Sequence, residues 1–276
     1  MGAVSNGKLP LIAVRAGAPG TLCLLLSAAL ANVGVAVGVH AATMSAAIEA
    51  AVADPMRPRE QVALDPLRKP AEVLAFSGLK RGDRVVDFMP GNAYLTRIFD
   101  RVVGPQGRVY AFLPTQQIAH CSPDEIAGTQ IVEHDARYSN VKVLRGPADQ
   151  FSVPEPLDML WIVQDYHDLH DRFMQPTDVA KFNAAVFRAL KPGGVYMIID
   201  HAAAARSGLR DTETLHRIDP ESIRAEVTAA GFVLEARSDV LRNERDSHRL
   251  VVFDPAIRHR TDQVVLKFRK PYAQKN

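Results

Sequence analysis

The sequence predicts an α/β protein with a Rossmann-like, doubly wound and mostly parallel sheet. Three observations predict this fold. Strand-like and helix-like segments alternate from residue 71 onward. The strand-like segments are near-continuous apolar runs, as expected for strands that are buried on both faces. Glycine and proline stand at the points where elements end. Such an alternation places helices on both faces of one sheet.

The first elements of this domain are apolar runs that end at glycine or proline. Their order is a helix ended by Gly78, a strand at 84–88, a helix at 94–103, a strand at 109–113, a helix opened at Ser122 and a strand at 141–144. Ser122, Pro123 and Glu125 form a capping box, in which serine binds a free helical N–H and glutamate reaches back to the cap. This pattern predicts where the helix begins.

The later elements include the most apolar segment of the domain, LDMLWIV at 157–163, which predicts a central strand with Trp161 in the core. The order is this strand, a helix at 179–190 followed by KPGG, a strand at 195–200, a helix capped by Asp219 and stopped by Gly231, and strands at 232–238 and 264–268. Ligands of such sheets bind beyond the carboxyl ends of the strands. We therefore expect functional residues in the loops that follow the strands.

The first 42 residues differ from the rest of the chain. Lys8 and Arg15 are the only charges before Glu49, and an apolar stretch, TLCLLLSAALANVGVAVGV, ends in small residues. This order predicts a secretory signal peptide cut next to His40-Ala41, and hence a periplasmic or secreted protein. The alternatives are an uncleaved anchor, because the run approaches the ~20 residues that span a bilayer, and a cytosolic chain with a mis-assigned start. The segments are a leader (1–42), a short helix with a proline-rich arm (43–70) and the α/β domain (71–276).

The charge of the chain argues against a nucleic-acid partner. The chain has 33 Lys and Arg against 31 Asp and Glu, and loss of Lys8 and Arg15 with the leader leaves 31 basic residues against 31 acidic ones. A formally neutral protein has no bulk attraction for a polyanion. Cleavage also removes Cys23, so Cys121 has no internal disulfide partner. The expected partner is a small molecule, and a membrane is expected only if the leader is retained.

Four motifs carry a family resemblance. They are LKRGDRVVDFMPGNAYLTRIF, GRVYAF, LDMLWIVQDYHDL and ALKPGGVYMIIDH, and they occur in this order. Together they resemble the class I S-adenosylmethionine-dependent methyltransferases, and most nearly an exported bacterial branch of that family. The resemblance covers roughly residues 70 to 270. It implies a Rossmann-like sheet, S-adenosylmethionine as the cofactor and a small-molecule acceptor.

The cofactor residues that the resemblance implies lie mainly in the loop after the first strand. Asp87 ends that strand as the family's acidic residue does, and Gly91 matches one of the family's glycines. Asn92 and Tyr94 complete this side of the cofactor site. The family's other glycine positions hold Met89 and Ala93 here, and Met89 places a side chain in the path of the cofactor's methionine part.

Two further positions bear on the nucleoside part of the cofactor. The family ends its second strand with a carboxylate that binds the ribose hydroxyls, whereas this chain has Phe112-Leu113-Pro114 there. A hydrogen bond to a charged group contributes about 1.5–3 kcal/mol, so its loss weakens binding by roughly ten- to hundred-fold unless another group replaces it. Asp149, in GPADQF, matches the position that contacts adenine in relatives. The sequence therefore predicts a methyltransferase with altered cofactor motifs.

A polar cluster follows the fourth and fifth strands. QDYHDLHD at 164–171 supplies His167, and Asp200-His201 ends the next strand. Methyl transfer to an acceptor needs alignment and removal of a proton, and a histidine suits the second task near neutral pH. We therefore expect His167 to be the general base, His201 to bind substrate or act as a second base, and Asp165 or Asp200 to orient the histidine. The non-functional alternative is that His167 and His170 lie on the solvated face of a helix.

A divalent metal is the alternative use of the same cluster. His167, His201, His216 and Asp200 are the candidate ligands, because imidazole and carboxylate are common donors for zinc and related ions. No local spacing among them is diagnostic. The function predicted is an exported methyltransferase for an unknown small molecule. The alternative is a periplasmic metal- or metabolite-binding protein, or a metal-assisted hydrolase, on the same scaffold. A nicotinamide enzyme is disfavoured, because DFMPGNA lacks the G-x-G-x-x-G spacing.

Overall fold

The computed structural model describes residues 46–272. The leader predicted at 1–42 lies outside the described residues. Within the described range, no helix combines the length and apolar character that crossing a bilayer requires.

Seven strands form one mixed sheet in the order β3-β2-β1-β4-β5-β7-β6. The neighbours among β1 to β5 are parallel, and β7 runs antiparallel to both β5 and β6. The strands are β1 (Arg84–Phe88), β2 (Arg108–Pro114), β3 (Val141–Gly146), β4 (Leu157–Val163), β5 (Leu190–His201), β6 (Val233–Ser238) and β7 (Gln263–Arg269). This topology confirms the predicted doubly wound, mostly parallel sheet. It also brings the carboxyl ends of β1, β4 and β5 to one edge.

Helices connect the strands on both faces of the sheet. They are α1 (residues 46–52), α2 (Arg59–Val62), α3 (Asp65–Arg68), α4 (Pro70–Ser77), α5 (Tyr94–Val103), α6 (Thr115–His120), α7 (Pro123–His134), α8 (Val179–Ala189), α9 (Thr212–Leu215) and α10 (Pro220–Ala229). The capping box of α7 forms between Ser122 and Glu125 as predicted. The arm is more regular than expected, since it contains α2 and α3. The sequence pattern did not predict α6 and α9, which are too short to show a helical period.

Two apolar clusters cover the two faces of the sheet. Successive residues of β1 alternate between them, with Val86 and Phe88 in one cluster and Val85 in the other. Trp161 is fully buried, and its ring centroid lies 5.1 Å from that of Phe99, which confirms its predicted place in the core. Strands buried on both faces have little freedom to move. The polar side chains at their carboxyl ends are therefore held in fixed positions.

Candidate active site

A cavity of about 890 Å³ opens at the carboxyl edge of the sheet. Its walls come from the arm, the loop after β1, the helices α6 and α7, and the polar loops after β4 and β5. This volume lies in the range of pockets that hold drug-sized ligands. The site lies where an open α/β sheet binds its ligands.

The loop after β1 keeps a glycine-type backbone although it has only one glycine. Met89, Gly91 and Ala93 all adopt positive φ, at 60°, 50° and 58°. Left-handed backbone costs a non-glycine residue roughly 1–2 kcal/mol, and such conformations persist only where the surrounding structure imposes them. Met89 is buried in the apolar cluster beside Phe88. The loop thus adopts left-handed backbone at Met89 and Ala93, the two positions where the resemblance implies glycine.

Helix α7 fixes this loop by direct contact. The backbone N–H of Gly128 donates to the side-chain oxygen of Asn92 at 3.0 Å, and the Thr129 hydroxyl donates to the Gly91 carbonyl at 2.7 Å. A Cβ on Gly128 would lie 2.1 Å from the Asn92 carbonyl oxygen, so only glycine fits there. The Asn92 carbonyl also accepts from Gln61 at 2.7 Å and from Arg97 at 2.6 Å. These contacts hold the strained backbone in place.

Asp87 stands at the base of the loop and is almost fully buried. The Thr96 hydroxyl donates to one of its carboxylate oxygens at 2.6 Å. Burial raises the pKa of Asp87 to about 7, against the lowering effect of the Thr96 hydrogen bonds. The carboxyl therefore changes charge close to neutral pH while it lines the cavity.

The end of β2 has no carboxylate, as the sequence shows, but a glutamine lies one turn further on. Phe112 and Leu113 are buried, and Leu113 does not line the cavity. Gln117 on α6 does line it, is 5% exposed, and its Oε1 has no hydrogen-bond partner among residues 46–272. Sequence reasoning missed Gln117, because the family pattern directs attention to the strand end. Asp149 lies on the short 3-10 helix Ala148–Gln150, is half-buried, and is not part of the cavity wall.

The arm supplies a basic residue to the cavity wall. The Arg68 guanidinium lies 4.6 Å from the centroid of the Tyr94 ring, and both side chains line the cavity. Burial lowers the pKa of Arg68, while the charges of Tyr94, Asp165 and Asp65 oppose the shift. The Tyr94 hydroxyl donates to Asp65 at 2.6 Å, which ties the arm to α5. Arg68 was not predicted as a site residue, because it precedes the domain in which the family motifs lie.

His167 is held between two carboxylates. Its Nδ1 lies 2.8 Å from Asp200 Oδ1, its backbone N–H donates to Asp200 Oδ2 at 2.8 Å, and its Nε2 lies 3.0 Å from Asp168 Oδ1. Burial alone would lower the pKa of His167, but the charge of Asp200 and the hydrogen bonds with Asp168 and Asp200 raise it well above its usual value. The side chain is 3% exposed. The alternative of a solvated helix face is therefore wrong for His167.

His201 lies in a different electrostatic environment. Its Nδ1 is 2.7 Å from the Thr261 hydroxyl, and its ring centroid is 6.1 Å from that of His167. Burial, with the charges of His167 and Arg217, holds the pKa of His201 well below its usual value. Both histidines line the cavity, and so does Asp165, whose carboxyl pKa burial and the charge of Asp168 raise. The structure thus brings together the three residues predicted on the acceptor side, and the pKa values of the two imidazoles are shifted in opposite directions.

The grouping of candidate metal ligands differs from the expected set. His167 and His216 lie with Asp168 and Asp171, and one ligand atom from each lies within 4.8 Å of the others. Asp200 is outside this group because its oxygens already accept from the backbone N–H groups of His167 and His201 and contact the His167 ring. His201 is outside it as well. Asp168 and Asp171 were missed because a sequence gives no sign of which charged residues of a polar loop turn inward.

The His120-Cys121 pair shows no sign of catalytic chemistry. The His120 ring stacks on Phe173 with centroids 4.4 Å apart. Burial, with the charge of Glu125, raises the pKa of the Cys121 thiol to about 11. A thiol with this pKa is almost entirely protonated at neutral pH and is a poor nucleophile.

Solved structures of methyltransferases share this architecture. A SAM-dependent methyltransferase from Aquifex aeolicus aligns with a TM-score of 0.52 at 18% identity and covers 78% of this chain and 100% of its own. The cyclase SpnF aligns with a TM-score of 0.53 at 16% identity, over 80% of this chain and 85% of its own. No family model matches the chain. The fold is therefore that of the class I methyltransferases, which includes a protein named for a different reaction.

Sequence similarity points to the same class. The ubiquinone/menaquinone biosynthesis C-methyltransferase UbiE of Marinomonas sp. (strain MWYL1) is 27% identical over 193 residues, which are 69% of this chain and 65% of that protein. The aligned part thus spans less than two thirds of this relative's length. Together with the fold, the similarity confirms the resemblance read from the motifs: the chain is related to the class I S-adenosylmethionine-dependent methyltransferases.

Proposed function

We propose that the protein is a methyltransferase that transfers a methyl group from S-adenosylmethionine to a small molecule. The observation that carries the proposal is the loop after β1, which keeps three left-handed residues at alternating positions and faces a cavity of about 890 Å³. Two of these residues, Met89 and Ala93, are not glycine, and left-handed backbone at such residues persists only where other contacts enforce it. The sequence similarity to C-methyltransferases supports the same conclusion.

The cofactor side of the cavity offers partners for the methionine and ribose parts of S-adenosylmethionine. We assign the loop from Asp87 to Asn92 to the methionine part, and Arg68 to its carboxylate, since a guanidinium suits a carboxylate in charge and shape. Gln117 takes the place of the missing acidic residue and binds the ribose hydroxyls through its unpartnered amide oxygen. A neutral hydrogen bond contributes about 0.5–1.5 kcal/mol, less than a charged one. Cofactor binding is therefore expected to be weaker than in relatives that have a carboxylate there.

The acceptor side is the polar cluster at the ends of β4 and β5. The methyl donor is already an activated sulfonium, so the protein needs to align the acceptor and remove its proton. His201 lines the cavity, and the contact of its Nδ1 with Thr261 leaves Nε2 for the acceptor. We assign proton removal to His201. His167, whose two ring nitrogens contact Asp200 and Asp168, forms part of the cavity wall on the acceptor side. The general base is therefore His201 and not His167, the residue expected from the sequence.

The test is calorimetric titration of S-adenosylmethionine into wild-type protein and two glycine variants. Gly91→Val places a branched side chain at φ 50° in the cavity wall and should abolish measurable binding. Gly82→Val is the matched control, because Gly82 has φ 80° and adds the same kind of backbone strain outside the cavity. It should keep wild-type affinity. Wild-type protein that binds no cofactor, or equal affinity in both variants, would contradict the proposed cofactor site.

Methyl transfer itself is measured as release of S-adenosylhomocysteine with pooled small-molecule acceptors. His201→Ala should lose release while keeping cofactor affinity, because it touches only the acceptor side. Cofactor binding without release from any acceptor pool would overturn the assignment of methyl transfer. The proposed location is the periplasm or the outside of the cell, supported by the leader sequence alone, and sequencing the amino terminus of the mature protein checks it.

A further inference from the structure

A group of two histidines and two aspartates lies on the acceptor side of the cavity, and we propose that it binds one divalent transition-metal ion. The ligand atoms come from His167, Asp168, Asp171 and His216. Three of the four follow β4: His167 and Asp168 lie on the 3-10 helix His167–His170, and Asp171 comes directly after it. His216 follows the last residue of α9. Ion binding requires no methyl donor and can be tested by itself, whereas the role of the ion toward an acceptor rests on the function proposed above.

The spacing of the ligand atoms fits a tetrahedral ion. His167 Nε2 lies 3.0 Å from Asp168 Oδ1 and 3.3 Å from His216 Nδ1. His216 Nδ1 lies 3.6 Å from Asp168 Oδ1 and 3.8 Å from Asp171 Oδ2. Zinc ligands at ~2.0–2.2 Å in tetrahedral geometry are about 3.3–3.6 Å apart. Four of the six separations thus lie within or close to this range, and all six are within 4.8 Å.

The surroundings of His167 are those of a metal ligand. Asp200 binds the Nδ1 side of the ring at 2.8 Å, which leaves Nε2 directed at Asp168 and His216. Histidine ligands usually give their second ring nitrogen to a carboxylate or carbonyl in this way, which fixes the tautomer and the ring orientation. Asp200 is therefore an outer partner of the ion rather than a ligand, which agrees with its position outside the group.

Asp171 gives an independent sign of an ion. Asp171 is 1% exposed, and its Oδ1 has no hydrogen-bond partner within the described part of the chain. A buried, unpartnered carboxylate oxygen is costly and calls for a specific explanation. A cation held by this carboxylate supplies one.

The donor set also selects the kind of ion. Two imidazole nitrogens with two carboxylates suit zinc and its first-row neighbours. Magnesium and calcium prefer six or more oxygen donors, which this group does not offer. An ion at this position lies on the acceptor side, beside His201. It would polarise an acceptor oxygen and favour loss of its proton.

The experiment titrates Zn²⁺ into full-length protein that carries no polyhistidine tag and has been stripped of metal with a chelator. Calorimetry with a weak competing chelator should give one ion per chain. His216→Ala and Asp171→Asn should each lower zinc affinity by at least ten- to hundred-fold, the size of effect seen when metal-site partners are lost. His120→Ala is the matched control, because His120 lines the same cavity outside the group. It should keep both stoichiometry and affinity.

Two further measurements separate a lost site from a lost fold. His216→Ala should retain its unfolding temperature and its affinity for S-adenosylmethionine, so a failure of the cofactor proposal leaves this test intact. Co²⁺ in place of Zn²⁺ should give the intense visible absorption of a tetrahedral site, and His216→Ala should remove it. Zinc affinity that is equal in wild type and His216→Ala, or the absence of stoichiometric binding, would overturn the proposal.

Discussion

At the level of single residues, the loop after β1 separates two properties that glycine combines. One is freedom to adopt positive φ, and the other is the absence of a side chain. Met89 and Ala93 keep the first property at an energetic cost and lose the second. The sequence alone predicted an altered cofactor loop, because a sequence shows residue types and not dihedral angles. The backbone shape is set by contacts with α7 through Gly128, which no local pattern reveals.

At this scale, the buried carboxyl of Asp87 should make the free energy of unfolding depend on pH. Its ordinary pKa of 3.8 rises to about 7 on folding because the carboxyl is buried. The folded protein therefore binds a proton more tightly than the unfolded chain, so this residue lowers stability as pH rises from about 4 to 7. Asp87→Asn removes the titration. The difference in unfolding free energy, variant minus wild type, should grow by roughly 2–4 kcal/mol between pH 4 and pH 8.

Urea unfolding at several pH values measures this difference. Asp178→Asn is the control, because Asp178 is a partly exposed helix cap whose hydrogen bonds with the Lys181 N–H and side chain lower its pKa. The linkage then has the opposite sign: stability contributed by Asp178 is lost only as pH falls below about 4. Its stability profile should parallel that of wild type from pH 5 to pH 8. Parallel profiles for Asp87→Asn would show that its carboxyl does not titrate near neutrality.

At the level of elements, the arm acts as a wall of the cavity. The proline-rich composition predicted an irregular segment, whereas α2 and α3 form, and Gln61 of α2 donates a hydrogen bond to the loop after β1. One-turn helices of this kind depend on tertiary contacts and not on helix propensity. The longer elements were predictable, since continuous apolar runs and capping residues mark them. The arm and α6 were not predictable, because the contacts that hold them in a regular structure come from residues distant in sequence.

Asp65 links two parts of the arm to each other and to α5. It accepts two hydrogen bonds from Arg57, at 2.8 and 2.7 Å, and one from Tyr94. The Arg57 side chain is 1% exposed. Asp65→Asn leaves this buried guanidinium without its charge partner, a change that typically costs several kcal/mol. The arm should therefore open locally, so that thermolysin cleaves within 54–69 faster and S-adenosylmethionine binds about ten-fold more weakly.

The control for this prediction is Arg59→Gln, in the same arm but exposed to solvent. It should leave both the cleavage rate and the cofactor affinity at wild-type values. Equal cleavage rates for Asp65→Asn and wild type would mean that the arm is held by its apolar contacts alone.

At the level of the whole molecule, strand order was predictable in outline because alternating strands and helices allow few topologies. The position of the polar cluster followed from that order, since β4 and β5 are neighbours. The strand order did not predict which side chains form the group of candidate metal ligands. His216 reaches His167 across 49 residues, and Asp246 reaches Arg217 across 29. Such long-range pairs between loops leave no periodic signal in the sequence.

The Arg217–Asp246 pair connects the long segment between β6 and β7 to the sheet. Both side chains are almost completely buried, and Arg217 also donates to the Ala202 and Leu250 carbonyls at 3.0 Å. Arg217→Met leaves the Asp246 charge buried without its partner. Loss of one member of a buried pair costs about 3–5 kcal/mol, so the free energy of unfolding in urea should fall by that amount.

Two further variants decide whether the unpaired charge of Asp246 causes the predicted loss of stability. Arg217→Met combined with Asp246→Asn removes the buried, unpaired charge and keeps an oxygen for one of the two backbone N–H groups, of His248 and Asp262, that donate to Asp246. The double variant should be more stable than Arg217→Met alone. Arg242→Met, at an exposed pair with Glu244, should change stability little, because surface pairs contribute little. If the double variant is no more stable than the single one, packing of the Arg217 stem accounts for the loss. The segment would then be attached to the sheet by shape and not by charge.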